Sequence, residues 1–130
     1  MPFPLSREYV SRAEETLGAQ LPIAYVSLLM RNNGGSVLGG KWHLHPIRDD
    51  SSRKRLGRTT NDILHETKWA SGYPTFPRGA VAIASNGTAD QLVLLRSETL
   101  PEFEPRVYWW YHDTGDLSVV AEDFLDLVSA

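Results

Sequence analysis

The chain has 130 residues, 13 Lys and Arg against 16 Asp and Glu, four His and no cysteine. At 42% hydrophobic and 22% charged it has globular composition and enough apolar side chain for one core, so wholesale disorder is excluded. The lack of cysteine excludes disulfides, zinc–thiolate sites and thiol nucleophiles.

No apolar run approaches the roughly 18 residues of a membrane span, and the opening residues lack a basic start followed by a long apolar stretch. The expectation is one cytoplasmic domain over residues 1–130, with no membrane partner. Charge is divided along the chain. Residues 98–130 carry eight carboxylates and only Arg106, whereas residues 48–58 hold Arg48, Arg53, Lys54, Arg55 and Arg58 against Asp49 and Asp50. One basic stretch in an acidic chain is not the basic stripe of a nucleic-acid binder, so it reads as a solvated loop and no nucleic-acid partner is expected.

Ser6 precedes a helix in which Tyr9, Val10, Ala13 and Leu17 recur at helical spacing, and Gly18 ends it. Leu21-Pro22 opens a second helix with Tyr25, Leu28 and Leu29 inward, stopped by Asn32-Asn33-Gly34-Gly35. Around Trp42 the period falls to two: Trp42 and Leu44 point one way, Lys41, His43 and His45 the other. A helix is predicted near 61–70, capped from Thr59-Thr60-Asn61, with Ile63, Leu64 and Trp69 inward. Residues 72–77, with two prolines, read as a stiff linker.

The second half reads as sheet. Ala80–Ala84 and Gln91–Leu95 flank Asn86–Asp90 as a hairpin. Arg106–His112 is the strongest strand, rich in β-favouring aromatics. It turns through Asp113–Asp116 into Leu117–Val120. A last helix over 121–128 sets Phe124, Leu125 and Val128 at helical spacing. Strands joined by short turns and packed by helices give the α+β class, with a mainly antiparallel sheet.

Chemistry is thinly marked. His43 and His45, two apart in a strand, leave one face and are the only metal-like pair. A third ligand from His65, Glu66, His112 or Asp113 would depend on tertiary contacts. Ser85 and Ser97 lack a nucleophile-elbow context, and no phosphate-loop glycine pattern occurs. No catalytic residue, metal or cofactor is assigned. The aromatic strand puts Val107, Trp109 and Tyr111 on one face, and Tyr108, Trp110 and His112 on the other. The second face is either roofed by the loops 48–58 and 96–105 or open to a partner.

Four pieces in order resemble the SUKH superfamily, which includes the yeast cell-wall-assembly regulator: Leu21-Pro22…Tyr25…Leu28-Leu29…Asn33-Gly34-Gly35; Val81–Ala84…Asn86-Gly87…Asp90-Gln91-Leu92; Val107-Tyr108…Trp110…His112; and Val120-Ala121…Phe124-Leu125. The likeness departs at residues 48–72 and at Thr88-Ala89. It implies a non-catalytic α+β protein-binding domain. Its bacterial members look like immunity proteins that neutralise a cognate toxin, in many cases a nuclease; the alternative is a regulatory or scaffold domain. The residues selected for partner contact are Trp42, Asp90, Glu102, Glu104, Tyr108, Trp110 and His112. A monomer or weak homodimer is expected.

Overall fold

Two helices lead the chain and set the first layer. In the computed structural model, which describes residues 3–128, α1 spans Arg7–Leu17 and buries Tyr9, Val10 and Ala13. Ser6 stands at its N-cap but makes no side-chain capping bond. The entry is tied instead by the Leu5 N–H to the Met30 carbonyl, at 3.1 Å. Gly18 closes α1 at φ +72°, a left-handed conformation that glycine adopts without steric cost. Helix α2, Ile23–Arg31, follows Pro22 and buries Tyr25, Val26 and Leu29. Past its end, Asn33 brackets the backbone of Ile47: the carbamoyl nitrogen donates to the Ile47 carbonyl at 2.7 Å, and its oxygen accepts from the Ile47 N–H at 2.8 Å.

Six strands form one antiparallel sheet in chain order: β1 Ser36–Val37, β2 Trp42–Leu44, β3 Val81–Ser85, β4 Gln91–Arg96, β5 Phe103–Trp110 and β6 Leu117–Ala121. With helices on the sheet, this is the α+β class. Two helices lie between β2 and β3, α3 Arg53–Arg58 and α4 Ile63–Ala70, and α5 Phe124–Val128 closes the described chain. One face of the sheet packs on α1, α2 and α5, joining Val10, Leu29, Ile83, Leu94, Val107 and Phe124 in the main core. Tyr25 and Phe124 meet edge-on at 5.0 Å, tying α2 to α5.

The other face has its own small core of Ala70, Ala80, Val93 and Trp110, with Tyr73 and Phe76 laid over it. Neither loop 48–58 nor loop 96–105 supplies this roof; residues 70–80 do. The supposed linker is therefore a packing segment, held because Tyr73 and Phe76 pack on Trp110 at 5.6 and 5.0 Å between ring centres.

Four further readings change. Part of the basic loop is the helix α3, started by Ser52, whose hydroxyl accepts the Arg55 N–H. Helix α4 is capped by Asp62, and Trp69 turns outward, 48% exposed. In α5 the buried pair is Phe124 and Leu127, which leaves Leu125 and Val128 exposed. His45 lies past the end of β2 and is buried.

Candidate interaction surface

The seven residues selected from the sequence do not form one surface. Trp42 and Trp110 are core: Trp42 packs edge-on against Trp109 at 4.9 Å, and Trp110 is fully buried and donates its indole N–H to the Thr75 carbonyl. Neither presents its ring to a partner in this fold. Asp90 and His112 are occupied with each other. The Asp90 carboxylate accepts the His112 backbone N–H at 2.9 Å, the His112 ring Nδ1 and the Trp109 indole N–H at 3.0 Å. Burial of Asp90 acts to raise its pKa, but the donors on His112 and Trp109 outweigh it and hold the carboxyl below its usual range.

Glu102 and Glu104 are exposed, and Tyr108 is half-buried, its ring partly packed on the small core. Along β5 the chain rises about 3.3 Å per residue, so Glu104 and Trp110 stand about 20 Å apart. The roof of Tyr73 and Phe76 covers the Trp110 end only. Towards the sheet edge the same face is open. Tyr108 pairs with Val119, and Trp110 with Leu117; Val119 is 47% exposed and Leu117 39%. Arg106 crosses this face, donating to Glu122 at 2.7 Å, with its Nη1 3.5 Å from the Tyr108 hydroxyl. The result is an open patch of Tyr108, Leu117 and Val119, bordered by Glu104, Arg106 and Glu122. Single exposed apolar side chains are ordinary, whereas a contiguous group on a sheet face is a candidate contact surface.

The sequence reading missed a second surface. Arg55, Arg58, His43 and Phe3 line a cleft of about 540 Å³ between α3 and the Gly34-Gly35 turn. The Phe3 ring carries the guanidinium groups of Arg55 at 4.7 Å and Arg58 at 5.0 Å. Buried Asp49 anchors Arg55 at 3.6 Å. The available signal was Ser52 ahead of Arg53-Lys54-Arg55, a helix start rather than a loop.

The two candidate metal histidines face different surroundings. His43 opens into this cleft, whereas His45 Nε2 lies 2.8 Å from the Gln91 side-chain oxygen and 3.8 Å from Glu66. Among the described residues no group of three His, Asp or Glu converges as a metal site. The same residues contain no helix long and apolar enough to cross a membrane.

Neither curated proteins nor solved structures give a match to this chain. A family model does match, over residues 4–130. The match takes in the leading helices, the hairpin, the aromatic strand and the closing helix, and on it the chain belongs to the SMI1/KNR4 family (SUKH-1).

Proposed function

We propose that this chain is a non-catalytic protein-binding domain of the immunity type, which holds a cognate toxin inactive in the cytoplasm of the cell that makes both. Family membership supports the class. The observation that carries the reading is the open β5–β6 face, where Leu117 and Val119 are exposed and Tyr108 half-buried beside exposed carboxylates. Aromatic and aliphatic anchors inside a charged border are what a specific protein contact uses. Toxins that are nucleases hold a phosphate backbone in a basic cleft, and an acidic inhibitor meets that cleft with complementary charge.

The edge strand supports a monomer over a pair of like copies. Antiparallel self-pairing of β6 about Val119 would set Asp116 opposite Glu122, acid against acid.

Co-expression with the product of the adjacent gene tests the reading. Rescue of growth and a stable complex are expected; a toxic neighbour that is neither bound nor neutralised refutes it. The basic cleft beside α3, opposite in sign to the β5–β6 region, favours a second reading: a scaffold domain that joins two partners. An isolated gene with no toxin beside it shifts the weight there.

A further inference from the structure

Ile23 is the most exposed large apolar side chain in the described fold, at 84%, and Leu125 follows at 58%. Each stands in the first turn of its helix, Ile23 on α2 and Leu125 on α5. They line one groove of about 620 Å³, together with buried Leu21 and Phe103. Neither exposed side chain serves the core, since α2 buries Tyr25, Val26 and Leu29 and α5 buries Phe124 and Leu127.

The groove is preformed. Pro22 and Pro105 stiffen two of its walls. Gln20 stitches the α1–α2 link to the start of β5: its N–H donates to the Pro101 carbonyl at 2.9 Å, and its carbonyl accepts the Phe103 N–H at 2.8 Å. A segment entering this groove meets walls that need little ordering, which lowers the cost of binding. Helix α2 opens without a side-chain cap, so its first amides can receive a carbonyl oxygen of that segment.

The rim is acidic. Glu102 and Asp123 border the groove against a single cation, Arg31. Glu104 on β5 and Asp126 on α5 are exposed as well. Glu102 makes no ion pair among the described residues. A second copy that presented this same surface would bring carboxylates against carboxylates.

We infer that the groove between α2, the start of β5 and α5 is a docking site for the partner protein in addition to the open β5–β6 face, and that it takes a segment whose apolar side chains are flanked by Lys or Arg. The inference rests on the protein-binding reading above and deepens it: it names the surface and the chemistry of the segment that surface accepts. Ile23 and Leu125 are the anchors, and Glu102 with Asp123 selects the sign of the partner.

The test uses the full chain labelled with 15N, titrated with a synthetic peptide in which Leu and Phe alternate with Lys and Arg, and with a twin carrying Glu in place of each base. The basic peptide is expected to shift the amides of Ile23, Ala24, Glu102 and Leu125. The acidic twin, the Ile23→Ser/Leu125→Ser variant and Glu102→Lys are each expected to bind about tenfold more weakly or worse. All the substituted side chains are exposed, so the thermal melt confirms an intact fold. Absence of binding, equal binding of the twin, or shifts confined to Leu117–Val119 overturn the inference. So does concentration-dependent self-association of the protein alone that Ile23→Ser abolishes, because a second copy is then the occupant. Co-expression separates this from the broader reading. Rescue by the wild type and equally by the double variant keeps the immunity function and removes the groove. No rescue by the wild type, with the peptide still mapping to the groove, does the reverse.

Discussion

Asp90 and His112 fasten the β3–β4 turn to the end of β5. Both the backbone N–H and the ring Nδ1 of His112 reach one oxygen of the Asp90 carboxylate, and the Trp109 indole reaches the other. Three donors on one carboxylate explain why a residue of the family-like hairpin loop faces inward. Its place in the motif is structural before it is functional.

Asp90→Ala leaves those donors without an acceptor, and a loss of about 1–3 kcal/mol of folding stability is expected. The effect depends on pH. A carboxyl held below its ordinary range in the fold contributes fully above that range, and the contribution fades as pH falls through the depressed native value. Urea unfolding of wild type and variant should therefore differ most near neutrality and converge in strong acid. A gap unchanged at low pH would mean that the ionised carboxylate is not what holds the turn.

Trp110→Ala separates core from contact. Trp110 is fully buried under Tyr73 and Phe76, so its removal should cost about 3–5 kcal/mol. Any loss of binding should follow from loss of fold. Urea unfolding measures the cost, and a variant that stays as stable as wild type yet fails to bind would restore Trp110 to a contact role.

What could be read ahead of the structure follows from how local each signal is. Helix α1 was legible because Tyr9, Val10 and Ala13 recur within one amphipathic turn after another, and Gly18 marks the end. The β3–β4 hairpin and β5 were legible from β-favouring runs around a short turn. The roof was not: Tyr73 and Phe76 sit in a proline-broken stretch with no period, and their partner Trp110 lies far along the chain. Which side of α5 turns inward is likewise undetermined in five residues, where Leu125 and Leu127 are equally apolar. Of the residues selected for partner contact, Glu102 and Glu104 are exposed and Tyr108 half-buried, and they stood out because charge and aromatics show in sequence. The exposure of Ile23 and Leu125 did not show, because an exposed aliphatic residue looks like a core one until its neighbours are placed.

His45 gives the fold an acid-side weakness. It is buried among Gln91, Glu66 and Asp62. Burial pushes its imidazole below the ordinary value of 6.5, although the Gln91 oxygen and the two carboxylates act to raise it. An unfolded chain then takes up this proton before the folded one does. The contribution is whole above about 6.5 and declines as pH falls towards the lower native value. The melting temperature of the wild type should drop between neutral pH and mildly acidic pH, and His45→Gln should flatten that drop. An identical slope in the variant would assign the loss to other groups.

Tyr25 carries the opposite prediction. Its ring is fully buried between α2 and α5, edge-on to Phe124, and its hydroxyl has no hydrogen-bond partner among the described residues. Burial pushes the phenol pKa up, so the group stays neutral and its proton and lone pairs go unused. An unpartnered buried hydroxyl costs about 1–3 kcal/mol, while the ring itself supplies the packing. Tyr25→Phe keeps that ring and removes only the oxygen, so the variant should be more stable than wild type, by about 1 kcal/mol. Urea unfolding at constant m-value measures this directly. A destabilised Tyr25→Phe would show that the hydroxyl is bonded in solution and that its presence in the family-like helix serves the fold.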